Sequence, residues 1–312
     1  MIRPSLRETL PLLCLLLATA GLPEVSAAEG GSPGTLEKPS VVFNVQSLHE
    51  RMEMTVSTSR ILKLGEKIMA GVGISAMYAD AELTSATPTP IGDTEVTMKG
   101  DDWGYGYNLG LTYILQRGTS IGVSYRSKVE QELDGDLDYS GLMPKEDVTA
   151  DLELPASAAI GVRHSIGDWA AVMLGATWTE WSSFEELAVK NSAGQLRAYT
   201  DESWEDTMRY SIGLNYYLDP DWELRCGLAY DETPVADMKN RTPRIPDADR
   251  IWTSAGFGYK VCESCSIDFG YTHIMIHDAE VNHVYDPSTG ATINGEYEGD
   301  VDIFSLQLNW KI

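Results

Sequence analysis

The sequence predicts an all-β chain, a transmembrane antiparallel β-barrel of eleven or twelve strands. Three observations carry this. Apolar residues recur with period two in segment after segment. Short turns alternate with longer polar stretches about every 50 residues. Tyr and Trp, 15 and 8 in number against 5 Phe, sit at the ends of the apolar faces, where one end of a ring is wet.

The amino terminus reads as an export signal. Arg3 and Arg7 precede a short apolar run over residues 10–20, Pro23 ends it, and Val25-Ser26-Ala27 offers small residues for cleavage after Ala27. The run falls short of the roughly 18–20 residues a spanning helix needs. Residues 1–27 are therefore assigned to a signal peptide, 28–51 to a linker or remnant segment, and 52–312 to the barrel. An exported chain with no long apolar run can enter a membrane only as strands. The formal net charge of −24 argues against nucleic acid as a partner, because phosphate neutralisation needs clustered cations.

Taken in order, the predicted strands are 52–62, 67–82, 95–115, 120–137, 148–164, 169–182, 207–217, 222–232, 250–260, 266–276 and 300–312. Residues 41–48 offer a twelfth, which would give the even number of bacterial single-chain barrels. The alternation is plain in Leu109, Leu111, Tyr113 and Leu115 against Asn108, Gly110 and Thr112. It recurs in Ile121, Val123 and Tyr125 against Gly122, Ser124 and Arg126, and in Tyr210, Ile212, Leu214 and Tyr216 against Ser211, Gly213 and Asn215. Trp222, Leu224, Cys226, Leu228 and Tyr230 oppose Glu223, Arg225, Gly227 and Ala229. Short turns are predicted at 63–66, 116–119, 165–168, 218–221 and 261–265, and long loops at 83–94, 138–147, 183–206, 233–249 and 278–298.

Competing chemistry is thin. Gly104, Gly106 and Gly110 lack the dinucleotide spacing and open no helix. Asp134, Asp136 and Asp138 give half a calcium loop, but Tyr139 stands where Gly is required, and an acidic external rim is the plainer reading. His273, His277 and His283 fix no third metal ligand, and the lone Cys262-Glu-Ser-Cys265 has no second pair for zinc. That C-x-x-C lies in a tight turn, where a local disulfide and two incidental thiols both remain open. No catalytic residue, metal or cofactor is assigned, and the chain is not expected to be an enzyme.

Several blocks resemble one family. GDDWGYGYNLG (100–110), IGVSYRSK (121–128), LPAS (154–157), WTEWSSF (178–184), RTPRIPDADR (241–250) and DIFSLQLNW (302–310) are similar to the FadL/TodX-type outer-membrane transporters of long-chain fatty acids and hydrocarbons. The resemblance runs from about residue 52 to the end. It implies a fourteen-stranded barrel with an amino-terminal hatch, passing apolar substrates through a lateral opening in its wall. In this sequence the leader is followed by GGSPG (30–34), then by what resembles the family's fourth strand; no counterpart of the hatch or the first three strands is read.

The function so implied is passive uptake of long-chain fatty acids or other hydrophobic compounds across the outer membrane. A non-transporting structural barrel, or a fragment of such a transporter, is the alternative; an outer-membrane lipid hydrolase is a third class. Implied partners are hydrophobic small molecules, outer-membrane lipid and lipopolysaccharide, and the barrel-assembly machinery. That machinery would read a last strand ending in Ile312, where the family usually has an aromatic. A fatty acid carries one carboxylate on an apolar tail, so its pocket should pair a few cations with an apolar floor. Arg126, Arg163 and Arg225 fall on inward faces, and Arg209 and Arg250 at strand starts near the outer mouth. All five are candidate substrate contacts, with Arg250 foremost and Asp247 or Asp249 as its structural partner. Pairing with lumen acids such as Glu130 and Glu223 is the competing role for these arginines.

Overall fold

In the computed structural model, residues 40–48, 51–89, 92–116, 118–242, 245–286 and 291–310 are described. They form one antiparallel sheet of sixteen strands. In chain order these are β1 (Ser40–Leu48), β2 (Arg51–Lys63), β3 (Ile68–Thr89), β4 (Gly92–Gln116), β5 (Thr119–Arg126), β6 (Val129–Asp138), β7 (Glu146–Leu154) and β8 (Ser157–Ile166). They continue as β9 (Ala170–Thr179), β10 (Glu186–Asn191), β11 (Leu196–Asp201), β12 (Thr207–Tyr217), β13 (Trp222–Asp231), β14 (Arg250–Cys262), β15 (Cys265–Asp286) and β16 (Ala291–Trp310). Among the described residues no helix is long and apolar enough to cross a membrane.

The sixteen segments reduce to twelve strands of one wall. β4 pairs with β5 along its lower half and with β6 above. β8 and β7 follow β5 and β6 in the same way. Each of these two couples is one long wall strand, interrupted at residues 127–128 and 155–156. The wall then continues β9, β12, β13, β14, β15, β16, and on its other side β3, β2, β1. Thus β1 fills the place of the twelfth strand, within the segment assigned from sequence to a linker. The leader and Ile312 lie outside the described residues.

Two predicted loops are strand instead. β3 and β4 stay paired as far as Thr89↔Gly92, and β15 and β16 as far as Asp286↔Ala291, so the expected loops over 83–94 and 278–298 are long hairpins. Outside lipid neither face has to be apolar, and the period-two signal that marks a strand fades. The expected loop over 183–206 likewise contains the hairpin β10–β11. Asp134, Asp136 and Asp138, read as an external rim, belong to β6.

The short turns define one end of the wall, at residues 64–67, 118, 167–169, 218–221 and 263–264, and this is the periplasmic end of such a barrel. Above it the outward face is apolar and open: Leu109, Leu111, Tyr113, Tyr210, Ile212, Leu224 and Leu228 are all exposed. Only a lipid environment makes that arrangement favourable. Past Ser127 the faces exchange character. Val129, Leu133, Leu137 and Val148 turn inward and are buried, while Glu130, Glu132, Asp134, Asp147 and Asp151 turn outward and are exposed. Lipid requires apolar groups outside, water requires them inside, and the exchange marks where the wall leaves the bilayer. Here Leu137 packs with Val96, Val148 and Val189 into a small core of the kind a soluble sheet has. A second external cluster joins Trp181, Trp204 and Val235, with Phe184 and Ile245 against it.

Candidate functional site

The inner face of the wall is the candidate passage. Residues of opposite parity to the exposed leucines point there, and at mid-height they are small. Gly122 lies opposite Gly161, and Gly161 opposite Gly175. Gly213 lies opposite Gly227, and Gly256 opposite Gly270. A Cβ added at Gly122 or Gly161 would meet nothing closer than 3.7 Å. At these two positions crowding does not demand glycine, and its effect is to keep the bore wide; at Gly256 a Cβ would lie 2.5 Å from the Phe269 carbonyl oxygen.

The five predicted arginines fall into two tiers above and below this belt. Arg126, Arg209 and Arg250 lie toward the external mouth, Arg163 and Arg225 toward the periplasmic turns. Register puts Arg209 opposite Asp231, and Asp231 opposite Arg250. Arg250 is only 3% exposed. Its guanidinium stands 3.5 Å from Asp231 and 3.3 Å from Asp247, both carboxylates also buried. Asp247 is the expected partner. Asp249 instead accepts hydrogen bonds from the Tyr230 hydroxyl at 2.5 Å and the Thr233 backbone N–H at 2.9 Å. Burial pushes the Asp247 carboxyl above its ordinary range, against the pull of Arg250. Arg241, buried in the same loop, donates to the Asp247 carbonyl at 2.8 Å and to the Glu280 carbonyl of β15. The segment 241–250 is thus a lock that ties the external loop to the wall.

The lower tier is wetter. Arg225 donates to Glu223 and Asp268, both at 2.8 Å. Asn215 donates to Glu223 at 2.6 Å, and Asn309 to Asp268 at 2.8 Å. Glu223, Arg225 and Asp268 line a pocket of about 370 Å³ with Tyr217, Trp222, Tyr259 and Lys260. At its edge Arg163 donates to the Tyr217 hydroxyl at 3.0 Å and to Ser165 Oγ at 2.8 Å. Arg163 is exposed, and both of these acceptors are neutral hydroxyls. Of the acids named from sequence, Glu223 does pair with an arginine, whereas Glu130 pairs with Lys128 at 2.6 Å. Sequence reasoning missed Tyr217 and Asp268, which reach this pocket only through cross-strand register, and Asn309, which donates to Asp268.

With this geometry in hand, the chain can be compared with known proteins. Residues 47–312 match the family described as outer membrane protein transport protein (OMPP1/FadL/TodX). The chain belongs to this family. A long-chain fatty acid transport protein of Escherichia coli O6:H1 (strain CFT073) is 33% identical over 253 residues, covering 75% of this chain and 55% of that protein. Outer membrane protein P1 of Haemophilus influenzae is 26% identical over 302 residues, covering 83% of this chain and 64% of the relative. The FadL/TodX chain therefore spans little more than half the length of the first of these. In fold, the crystal structure of a Pseudomonas aeruginosa FadL homologue superposes with a TM-score of 0.72 at 24% identity, over 83% of this chain and 68% of that one. The toluene transporter TodX of Pseudomonas putida gives 0.58 at 15% identity, over 84% and 70%. The architecture is thus that of an outer-membrane β-barrel of this family, and the outer membrane is its location.

Metal chemistry finds a different grouping from the one considered in sequence. His273 lies with Asp300 and Asp302, its Nδ1 2.9 Å from Asp302, and the Tyr271 hydroxyl donates to the same carboxylate at 2.7 Å. A register shift after Ile276 separates this group from His277, and His283 bonds the Lys239 carbonyl. The cluster is exposed on the outward face and its carboxylate is already hydrogen-bonded twice.

Proposed function

We propose that the chain is an outer-membrane conduit for passive uptake of long-chain fatty acids or other hydrophobic compounds. One observation carries this reading: a bore lined at mid-height by glycine leads to a polar pocket beside Arg163, which among the described residues bonds two neutral hydroxyls. A fatty-acid carboxylate would replace the Tyr217 or Ser165 hydroxyl as the acceptor for that guanidinium, while the tail stays along the small-residue wall. No energy source or cofactor is required, because the passage is downhill. Among the five candidate arginines, Arg163 can receive a headgroup without breaking an ion pair, whereas Arg250 would have to leave two buried carboxylates.

The test is uptake of labelled oleate and of a labelled alkane by cells lacking their own transporter and expressing this chain. Loss of a charge-assisted hydrogen bond, roughly 1.5–3 kcal/mol, should make Arg163→Ala lower oleate uptake by about tenfold or more and leave the alkane unchanged. Equal loss for both compounds would remove Arg163 from the headgroup role. No uptake of either compound by the folded parent chain would favour the non-transporting barrel.

A further inference from the structure

Cys262 and Cys265 are directly opposite one another across the β14–β15 turn, with only Glu263 and Ser264 between them. Directly opposed residues of an antiparallel pair hold their Cα atoms roughly 4.5 or 5.5 Å apart. A disulfide accepts roughly 4.4–6.8 Å. Opposed residues also present their side chains on one face of the sheet, so both thiols lie on the same side. Cys262 is exposed and Cys265 half-buried, and the Cys262 sulfur lies 3.5 Å from the Ser264 hydroxyl. The turn stands at the periplasmic end, level with the other short turns and beside Trp310, the register partner of Cys265. Cys226 is exposed too, but it has no such neighbour. It lies within the apolar outward face of β13, opposite Leu214 and Ala255, with no second thiol across from it.

We propose that Cys262 and Cys265 are a site of oxidative modification, closed into a disulfide by a periplasmic dithiol oxidase, and that Cys226 stays a thiol. The chemistry is two exchanges. The exposed Cys262 thiolate attacks one sulfur of the oxidase disulfide, forming a mixed disulfide and releasing the oxidase's other sulfur as a thiolate. The Cys265 thiolate then attacks the Cys262 sulfur, and the second oxidase thiolate leaves. Two electrons and two protons pass to the oxidase, which becomes a dithiol. The bond would staple the end of the β14–β15 hairpin. It depends on the outer-membrane location and not on any substrate.

The experiment takes the mature protein from outer membranes of producing cells, denatures it without reductant in a thiol-reactive maleimide, and maps the label to single cysteines by mass spectrometry. The expected result is label on Cys226 alone, with the peptide holding both turn cysteines two hydrogens lighter; after reduction all three carry label. In Cys262→Ser, both Cys226 and Cys265 should be labelled without reduction. Label on Cys262 and Cys265 in the unreduced parent would overturn the proposal, and so would an unlabelled Cys265 in Cys262→Ser, since its partner would then be another thiol.

Discussion

At the scale of single residues, the lesson is how differently two arginines of the same inner face are held. Arg250 sits among Asp231 and Asp247 in a site nearly closed to water. Removing one member of such a group leaves buried charge uncompensated, at a cost of about 3–5 kcal/mol. Arg250→Ala should therefore lower the temperature at which the detergent-purified barrel loses its compact gel mobility. Uptake of acid and alkane should fall together with the folded yield. Arg163, by contrast, is exposed and bonded to hydroxyls; its replacement should leave that temperature within the small range of ordinary surface changes. Arg163 was readable as inward-facing from strand parity, and Arg250 as a strand start near the outer mouth. Their different roles were not, because the carboxylates that decide them come from other strands and from the loop.

Among the elements, the crossing of β4 and β6 is the tightest point. A Cβ on Gly135 would lie 1.6 Å from the Lys99 carbonyl oxygen, a backbone atom that cannot move alone. At Gly161 the nearest atom would be 3.7 Å away. Gly135→Ala should cut the yield of folded protein severely in a refolding assay, and Gly161→Ala should leave it near the parent's. The external hairpin β10–β11 is tied to the wall electrostatically. Arg197 donates to both oxygens of Glu146, at 2.5 and 2.6 Å, and Asn191 donates to the same carboxylate at 2.7 Å. These bonds hold the Glu146 carboxyl at about 2, below its ordinary 4.5. A depressed carboxyl stabilises the fold above its unfolded value and stops doing so as pH falls through its folded value. The difference in unfolding midpoint between the parent and Arg197→Met should thus be constant above pH 4.5, shrink below it, and vanish near pH 2. The pair is partly exposed, so the difference will be small at any pH and smaller in high salt. None of this hairpin was legible in sequence, since its alternation is too polar to stand out.

For the whole molecule, the two edges of the twelve-strand wall are β1 and β16 among the described residues. Counting turns, β16 runs toward the periplasmic end and β1 away from it, so the two edges are antiparallel and can pair. Without β1 the edges would be β2 and β16, both running toward the periplasm. An unpaired edge is untenable in a bilayer, because its N–H and C=O groups have no water to bond. The outward side chains of β16 are bare as well, with Phe304, Leu306, Leu308 and Trp310 each about 70% exposed or more. Deleting residues 40–48 should therefore abolish the heat-modifiable form on detergent gels, while a deletion confined to residues 28–36 should leave it. What the sequence by itself determined is the wall: strands, faces, turn end and family follow from period two, aromatic ends and local motifs, because lipid imposes its demand on every second residue independently. What only the tertiary structure decided is how the charges are matched. Arg225 meets Asp268 across 43 positions and Arg163 meets Tyr217 across 54. A partner that far away is chosen by register and by the packing of loops, and those are set by the pairing of the sheet as a whole rather than by any stretch of the chain.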